Sequence, residues 1–380
     1  MMRVSCSSLL ILCCAATAHA QKFSVPATLG DSATLARAMP ALAEQVIAQL
    51  GNGNRPETLD NLFRSQIVAG KYEDAAKSVA ELHAMRSRNV AAKPEARAAD
   101  VQYEIWARAM AANARNYTPF DKAFATAFRE VFATLDDRTS TLVIRALSVG
   151  PQPLRGALRR ATQAQNGKTE IAFADAVSLA RAYQRFETHR SFAPLIAPLI
   201  NEDDVRRYIT ERDVRVRTPD GATVCALIMR PRATKVKLPT LLTFTIYVDS
   251  AANVSDARRA ASNGYVGVTG FTRGKACSPQ SPVPYLYDGA DAAALIDWIA
   301  AQSWSDGRVG MYGGSYNGFT TWAAAKKMPK ALKAIMVGAP VGPGLNVPME
   351  GNIVWNFIYQ WPFYTTNNKT LDNATYFDNP

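Results

Sequence analysis

Histidine is the residue this sequence has least of. Its 380 residues hold three, His19, His83 and His189. The second half therefore cannot draw an imidazole base or metal ligand from its own stretch of chain. Cysteine is almost as scarce: Cys6, Cys13 and Cys14 crowd the start, and only Cys225 and Cys277 remain elsewhere. No Cys/His spacing of the kind that holds zinc or a cluster is present, so no metal and no cofactor is implied. Cys225 and Cys277 either join as a disulfide in an oxidising compartment or stay as two buried thiols. Apolar runs are short as well. The stretch from Leu9 to Ala18 falls well below the length that crosses a bilayer, which leaves no stable membrane span. Acidic residues, 32 against 43 Lys and Arg, give a formal charge of +11. The basic residues are scattered and accompany no nucleic-acid-binding signature, so the chain is not read as a nucleic-acid binder.

What stands at the N-terminus reads as a leader. Arg3 supplies a minimal basic region, the apolar stretch follows, and Ala18-His19-Ala20 offers a small-x-small cleavage site before Gln21. Leu12 is bulky where a lipoprotein signal wants a small residue. The expectation is a signal peptide over residues 1–20 and an exported mature protein, periplasmic or secreted. From about Ser32 to Ile200 the apolar pattern is helical: Phe124, Phe128, Val131 and Phe132 share one face, and Ala174, Val177 and Tyr183 lie on another helix. Gly70-Lys71-Tyr72-Glu73-Asp74-Ala75 resembles the start of a tetratricopeptide second helix, but no sustained period accompanies it, and an ordinary helical bundle is the simpler reading. Breaks fall at residues 51–56, Lys93-Pro94 and Gly150-Pro151.

After Asp204 the pattern changes to strands. Residues 213–218 and 223–229 alternate around a Pro219-Asp220-Gly221 turn as a hairpin. Residues 238–247 and 264–271 read as buried strands with a helix over 254–263 between them, and 288–302 reads as a second crossover helix. The segment that carries chemistry comes next. Residues 308–327 form a strand, a glycine-pinched turn, Gly313-Gly314-Ser315-Tyr316-Asn317-Gly318, and an alanine-rich helix. A serine at such an apex is pushed out of the sheet, with the N-terminal amides of the following helix facing any oxyanion that develops. Residues 332–337 add one more strand. Strands alternating with helices imply a mostly parallel sheet covered on both faces.

From about residue 205 to 370 the chain resembles the X-Pro dipeptidyl-peptidase and cocaine-esterase (CocE/NonD) serine hydrolases. The resemblance rests on ordered features: Val214 to Gly221, Leu241 to Asp249, Gly264 to Gly274, Asp288 to Trp298, and Trp304 to Gly318 with its G-x-S-Y-x-G variant of the elbow. It implies Ser315 as nucleophile, the Tyr316 amide as one oxyanion donor and the Tyr247 hydroxyl as the other. A tyrosine that merely plugs the sheet end is the competing reading of Tyr247. Ala276 stands where the family usually has glycine, which leaves that loop's path open. Asp249 reads as ordering its loop, and Glu350 as a solvated loop residue. The upstream His83 and His189 lie on amphipathic helices outside the sheet.

The expectation is thus a signal peptide (1–20), a helical domain (21–204) and an incomplete α/β-hydrolase fold (205–380), truncated before the triad acid and histidine that the resemblance places beyond residue 380. The function read is hydrolysis of an ester, amide or X-Pro-type peptide through an acyl-enzyme on Ser315, with a small molecule or peptide as partner and the chain alone catalytically incomplete. The alternative is a non-catalytic binding or scaffold protein with a vestigial hydrolase part. Oligomeric state is not legible.

Overall fold

The computed structural model describes residues 22–51, 53, 55–88, 93–374 and 376; the expected signal peptide over 1–20 lies outside them. Helices come first: α1 (Ser32–Leu50), α2 (Pro56–Val68), α3 (Tyr72–Arg88), α4 (Pro94–Ala98), α5 (Val101–Asn116), α6 (Phe120–Thr134), α7 (Asp137–Leu147), α8 (Pro151–Gln163), α9 (Phe173–Phe192) and α10 (Ile196–Arg207). A short β1 (Phe23–Ser24) pairs antiparallel with β2 (Glu170–Ile171). The expected breaks are where helices begin. Pro56, Pro94 and Pro151 open α2, α4 and α8 at the position where a missing N–H costs nothing. Asp31 and Asp136 cap α1 and α7 by accepting the Thr34 and Thr139 amides at 2.7 and 2.8 Å.

The sheet-forming half continues with β3 (Tyr208–Arg217), β4 (Thr223–Pro231), β5 (Leu238–Thr245), α11 (Ser250–Ala261), β6 (Val266–Phe271), α12 (Asp288–Ala300), β7 (Ser305–Ser315), α13 (Tyr316–Ala325) and β8 (Leu332–Pro340), then β9 (Met349–Glu350), β10 (Ile353–Val354) and α14 (Trp361–Thr366). The six-stranded order is β3-β4-β6-β5-β7-β8. The hairpin β3–β4 and the β4–β6 pair are antiparallel, and β6, β5, β7 and β8 run parallel. This is the mostly parallel sheet that the strand–helix alternation implies, in the α/β-hydrolase arrangement that the resemblance implies.

Alternation along β4 shows how both faces are covered. Val224, Ala226 and Ile228 point to the core under α12 and α13, with Leu295, Ile296 and Ile299. Cys225, Leu227 and Met229 point to the core under α11, with Val254, Ala257 and Ala261. On that side α11 lies so close that a Cβ on Gly267 would stand 2.1 Å from the Ala257 carbonyl oxygen. From β5 the chain steps to β6 on one side, then crosses back to β7 on the other. The C-terminal end of β5 is therefore a topological switch point, the place where sheets of this kind hold ligands.

The chain divides into two compact units, and the division differs from the expected boundary at 204/205. One unit takes the residues up to Ala92, Asp100–Ala127 and Val149–Pro194; the other takes Lys93–Ala99, Phe128–Ser148 and Leu195 onward. Thus α4, α7 and α10 belong with the sheet. Buried arginines supply the reason. Arg207 of α10 bonds Asp203 and Asp137 at 2.8 and 2.7 Å and the Phe132 and Leu135 carbonyls at 2.6 and 3.0 Å. Arg258 of α11 grips Asp204 of α10 through two bonds of 2.7 and 2.6 Å. Charges so buried are stable only when paired, which fixes these helices to one another.

Candidate active site

β7 ends on Ser315, whose backbone sits at φ 55°, ψ −123°. A non-glycine residue at positive φ is held there only by its surroundings. The surroundings are the elbow glycines: a Cβ on Gly313 would stand 2.5 Å from the backbone and Cβ of Asn317, and one on Gly318 would lie 3.0 Å from Pro340. Those contacts let α13 start directly against β7. The serine side chain is left exposed at the apex. Thr320 ties α13 to β5 by donating to the Phe244 carbonyl at 2.7 Å.

Tyr247 follows β5 at the switch point. Its amide donates to Thr245 Oγ1 at 3.0 Å, and its carbonyl accepts from Asn253 Nδ2 at 3.2 Å. Asn253 stands in α11, which Asp249 caps through the Ala251 and Ala252 amides at 2.9 and 3.0 Å; Asp249 does order its loop. The Tyr247 ring meets Tyr316 edge-on at 6.0 Å, and its hydroxyl accepts from Trp361 Nε1 at 3.0 Å. No described residue accepts its phenolic proton, and burial raises its pKa. A neutral phenol of this kind keeps one proton to donate.

Ser315 and Tyr247 line the same cavity, about 320 Å3, whose walls also include Tyr285, Val347, Trp355 and Trp361. No charged side chain lines it among the described residues. Glu350, in β9, is exposed and outside that lining. His83 and His189 belong to the first unit, where His83 Nδ1 bonds Glu104 Oε2 at 2.6 Å and His189 packs edge-on against Phe192. His19 is outside the described residues.

Behind the serine lies a polar cluster the sequence did not reveal. Tyr316 buries its side chain and donates its hydroxyl to Asp288 Oδ2 at 2.8 Å. The Tyr285 amide donates to the same oxygen at 2.9 Å, and Thr272 Oγ1 donates to Oδ1 at 2.7 Å. Asp288 is fully buried, and desolvation outweighs those three donors to push its carboxyl up to about 6. The residue that follows Ser315 is thus anchored by its own phenol. A lone Asp opening an apolar helix gives no hint of this, because its side-chain partners are 16 and 28 positions away.

The loop after β6 holds the far wall. Arg273 bonds Asp291 at 3.0 and 2.6 Å and Asp220 at 2.8 and 3.2 Å, which holds the Asp220 carboxyl down to about 2. Ala276 takes φ 50°, so an alanine adopts the left-handed turn a glycine would supply, and its amide donates to the Lys369 carbonyl at 3.0 Å. Cys277 is disulfide-bonded to Cys225 of β4, which decides the alternative left open by the sequence. Lys275 is fully buried, donating to the carbonyls of Thr365, Asn368 and Thr370 at 2.5 to 2.8 Å. Desolvation, helped by Lys369, lowers its pKa to about 8. Lys369 in turn donates to the carbonyls of Gly274, Ser278 and Gln280 at 2.7 to 3.0 Å. The two ammonium groups bind the 274–280 loop to the segment beyond Trp361.

Residues 220–376 match the X-Pro dipeptidyl-peptidase (S15) family. This part of the chain is similar to members of that family. The S15 segment is 33% identical over 164 residues to the cocaine esterase of Rhodococcus sp. (strain MB1 Bresler), covering 39% of this chain and 28% of the esterase. A CocE/NonD family hydrolase from Staphylococcus aureus matches with 28% identity, 34% of this chain, 27% of that one and a TM-score of 0.30. An α-amino acid ester hydrolase matches with 24% identity, 43% of this chain, 31% of that one and a TM-score of 0.38. The chain spans less than a third of the length of each of these relatives.

Proposed function

We propose that Ser315 is the nucleophile of a serine hydrolase acting on esters or amides. The observation that carries this reading is the strained Ser315 backbone at the β7–α13 junction, in one cavity with a Tyr247 phenol whose proton is uncommitted. Ser315 Oγ adds to the substrate carbonyl carbon as a base takes its proton. The oxyanion accepts hydrogen bonds from the Tyr316 amide and the Tyr247 hydroxyl, and the alcohol or amine leaves with a proton. Water then hydrolyses the acyl-Ser315 ester. An aromatic lining with no charged side chain among the described residues supports an uncharged acyl group over one that carries an ammonium. Similarity to the S15 family and to the cocaine esterase supports esters and X-Pro-type peptides as the substrate range. Export rests on the leader sequence.

No histidine follows Ser315 in the 380 residues, so proton removal is the step this sequence leaves unprovided, and the chain by itself should turn over poorly. Added imidazole can stand in for that base. Incubating the chain with an activated ester and imidazole, then weighing the Ser315 peptide, should show an acyl adduct that is absent in S315A. In Y247F it should form roughly a hundredfold more slowly. Acylation that persists in S315A refutes the reading. The competing reading, a non-catalytic binding protein, rests on the missing base and predicts no adduct under any condition.

A further inference from the structure

The sheet-bearing unit carries a second and larger hollow, about 690 Å3, enclosed by α7, α10, the start of α11 and β3. Its walls are of two kinds. Ile144, Ile196, Ile200 and Val254 give an apolar lining, while Arg145 and Arg212 stand exposed at its rim with no ion-pair partner among the described residues. A third arginine, Arg258, is already matched by Asp204, the single carboxylate of the lining. Two positive charges are left uncompensated beside an aliphatic wall. The position of Arg212 is itself built: β3 and β4 slip register between Glu211 and Val214, and Asp213 takes φ 55°. Bulges of this sort re-aim a side chain out of its ladder.

We propose that this hollow binds an amphipathic carboxylate, its anionic head on Arg145 and Arg212 and its hydrocarbon body against the isoleucines. Guanidinium groups match a carboxylate in geometry and charge, and the volume lies in the range of small-molecule sites. A small inorganic anion would leave the apolar wall wet, and a cationic amphiphile would meet two like charges. None of the lining residues is shared with the Ser315 cavity, so the proposal stands apart from the reading of that site.

Titrating decanoate into the full chain by calorimetry, with acetate and decyltrimethylammonium as matched probes, tests it. Decanoate should bind saturably, and both other probes at least tenfold more weakly. The double variant R145Q/R212Q, which alters two exposed unpaired side chains and should keep its far-UV circular dichroism, should lose at least tenfold in decanoate affinity; S315A should lose none. Equal binding of acetate or of the cationic amphiphile, unchanged affinity in the double variant, loss of affinity in S315A, or no saturable decanoate binding would each overturn the proposal.

Discussion

Replacing Asp288 by asparagine is expected to stabilise the sheet-bearing unit at neutral pH. The carboxyl is held at about 6 against an ordinary 3.8 because burial costs its charged form more than its hydrogen bonds return. A carboxyl raised in this way contributes stability that is fully present below pH 3.8 and is lost as pH rises through 6. The gap converts, at ~1.4 kcal/mol per unit, to a cost of ~3 kcal/mol at pH 7.5 and ~1 kcal/mol at pH 4.5. Asparagine avoids the cost while keeping the network. Its oxygen can accept from Tyr316 and Tyr285, and its amide can donate to Thr272 Oγ1, which turns from donor to acceptor. Urea unfolding at both pH values, followed by tryptophan fluorescence, to which the sheet-bearing unit contributes Trp298, Trp304, Trp322, Trp355 and Trp361, should show an advantage of D288N that shrinks on acidification. Other carboxyls raised by burial, such as Asp291, are common to both proteins and drop out of the difference. An advantage that does not change with pH, or a D288N that is less stable at pH 7.5, would show that the charge at Asp288 is not the unsolvated group described above.

Gly313→Ala places a Cβ 2.5 Å from Asn317 backbone atoms; it should cost about 1–3 kcal/mol in urea unfolding and suppress acylation of Ser315. Replacing both Cys225 and Cys277 by serine opens a link across 52 residues. The chain-entropy relation puts the loss at up to ~4 kcal/mol, readable in the same denaturation. Lys275→Met leaves three buried carbonyls without their donor, and a loss of at least ~2 kcal/mol should come with a red-shifted Trp361 emission.

Local chemistry was legible and distant chemistry was not. The elbow could be read because strand, glycines and helix follow one another within a dozen residues, each with its own signature. Tyr247 was reached through resemblance, and the structure brings it to the cavity of Ser315. Asp288, Lys275 and Trp361 escaped because what defines them is burial among partners 16 to 114 positions away. The division into units was hidden for the same reason: the ion pairs of Arg207 and Arg258 that tie α7, α10 and α11 together leave no trace in apolar periodicity, which shows only that these segments are helical. The Cys225–Cys277 link needed Cys225 on β4 and the loop after β6 to be seen side by side.

The paired lysines have a consequence for how this site could change over time. Lys275 and Lys369 hold carbonyl oxygens, and every amino acid carries one. The side chains at 365, 368 and 370 can therefore drift without loosening the tether, and the aromatic residues on the adjoining stretch can be exchanged for others while the strip stays where it is. Two positions would carry the constraint for a whole wall, and variation in what the cavity accepts would be free to accumulate on the rest.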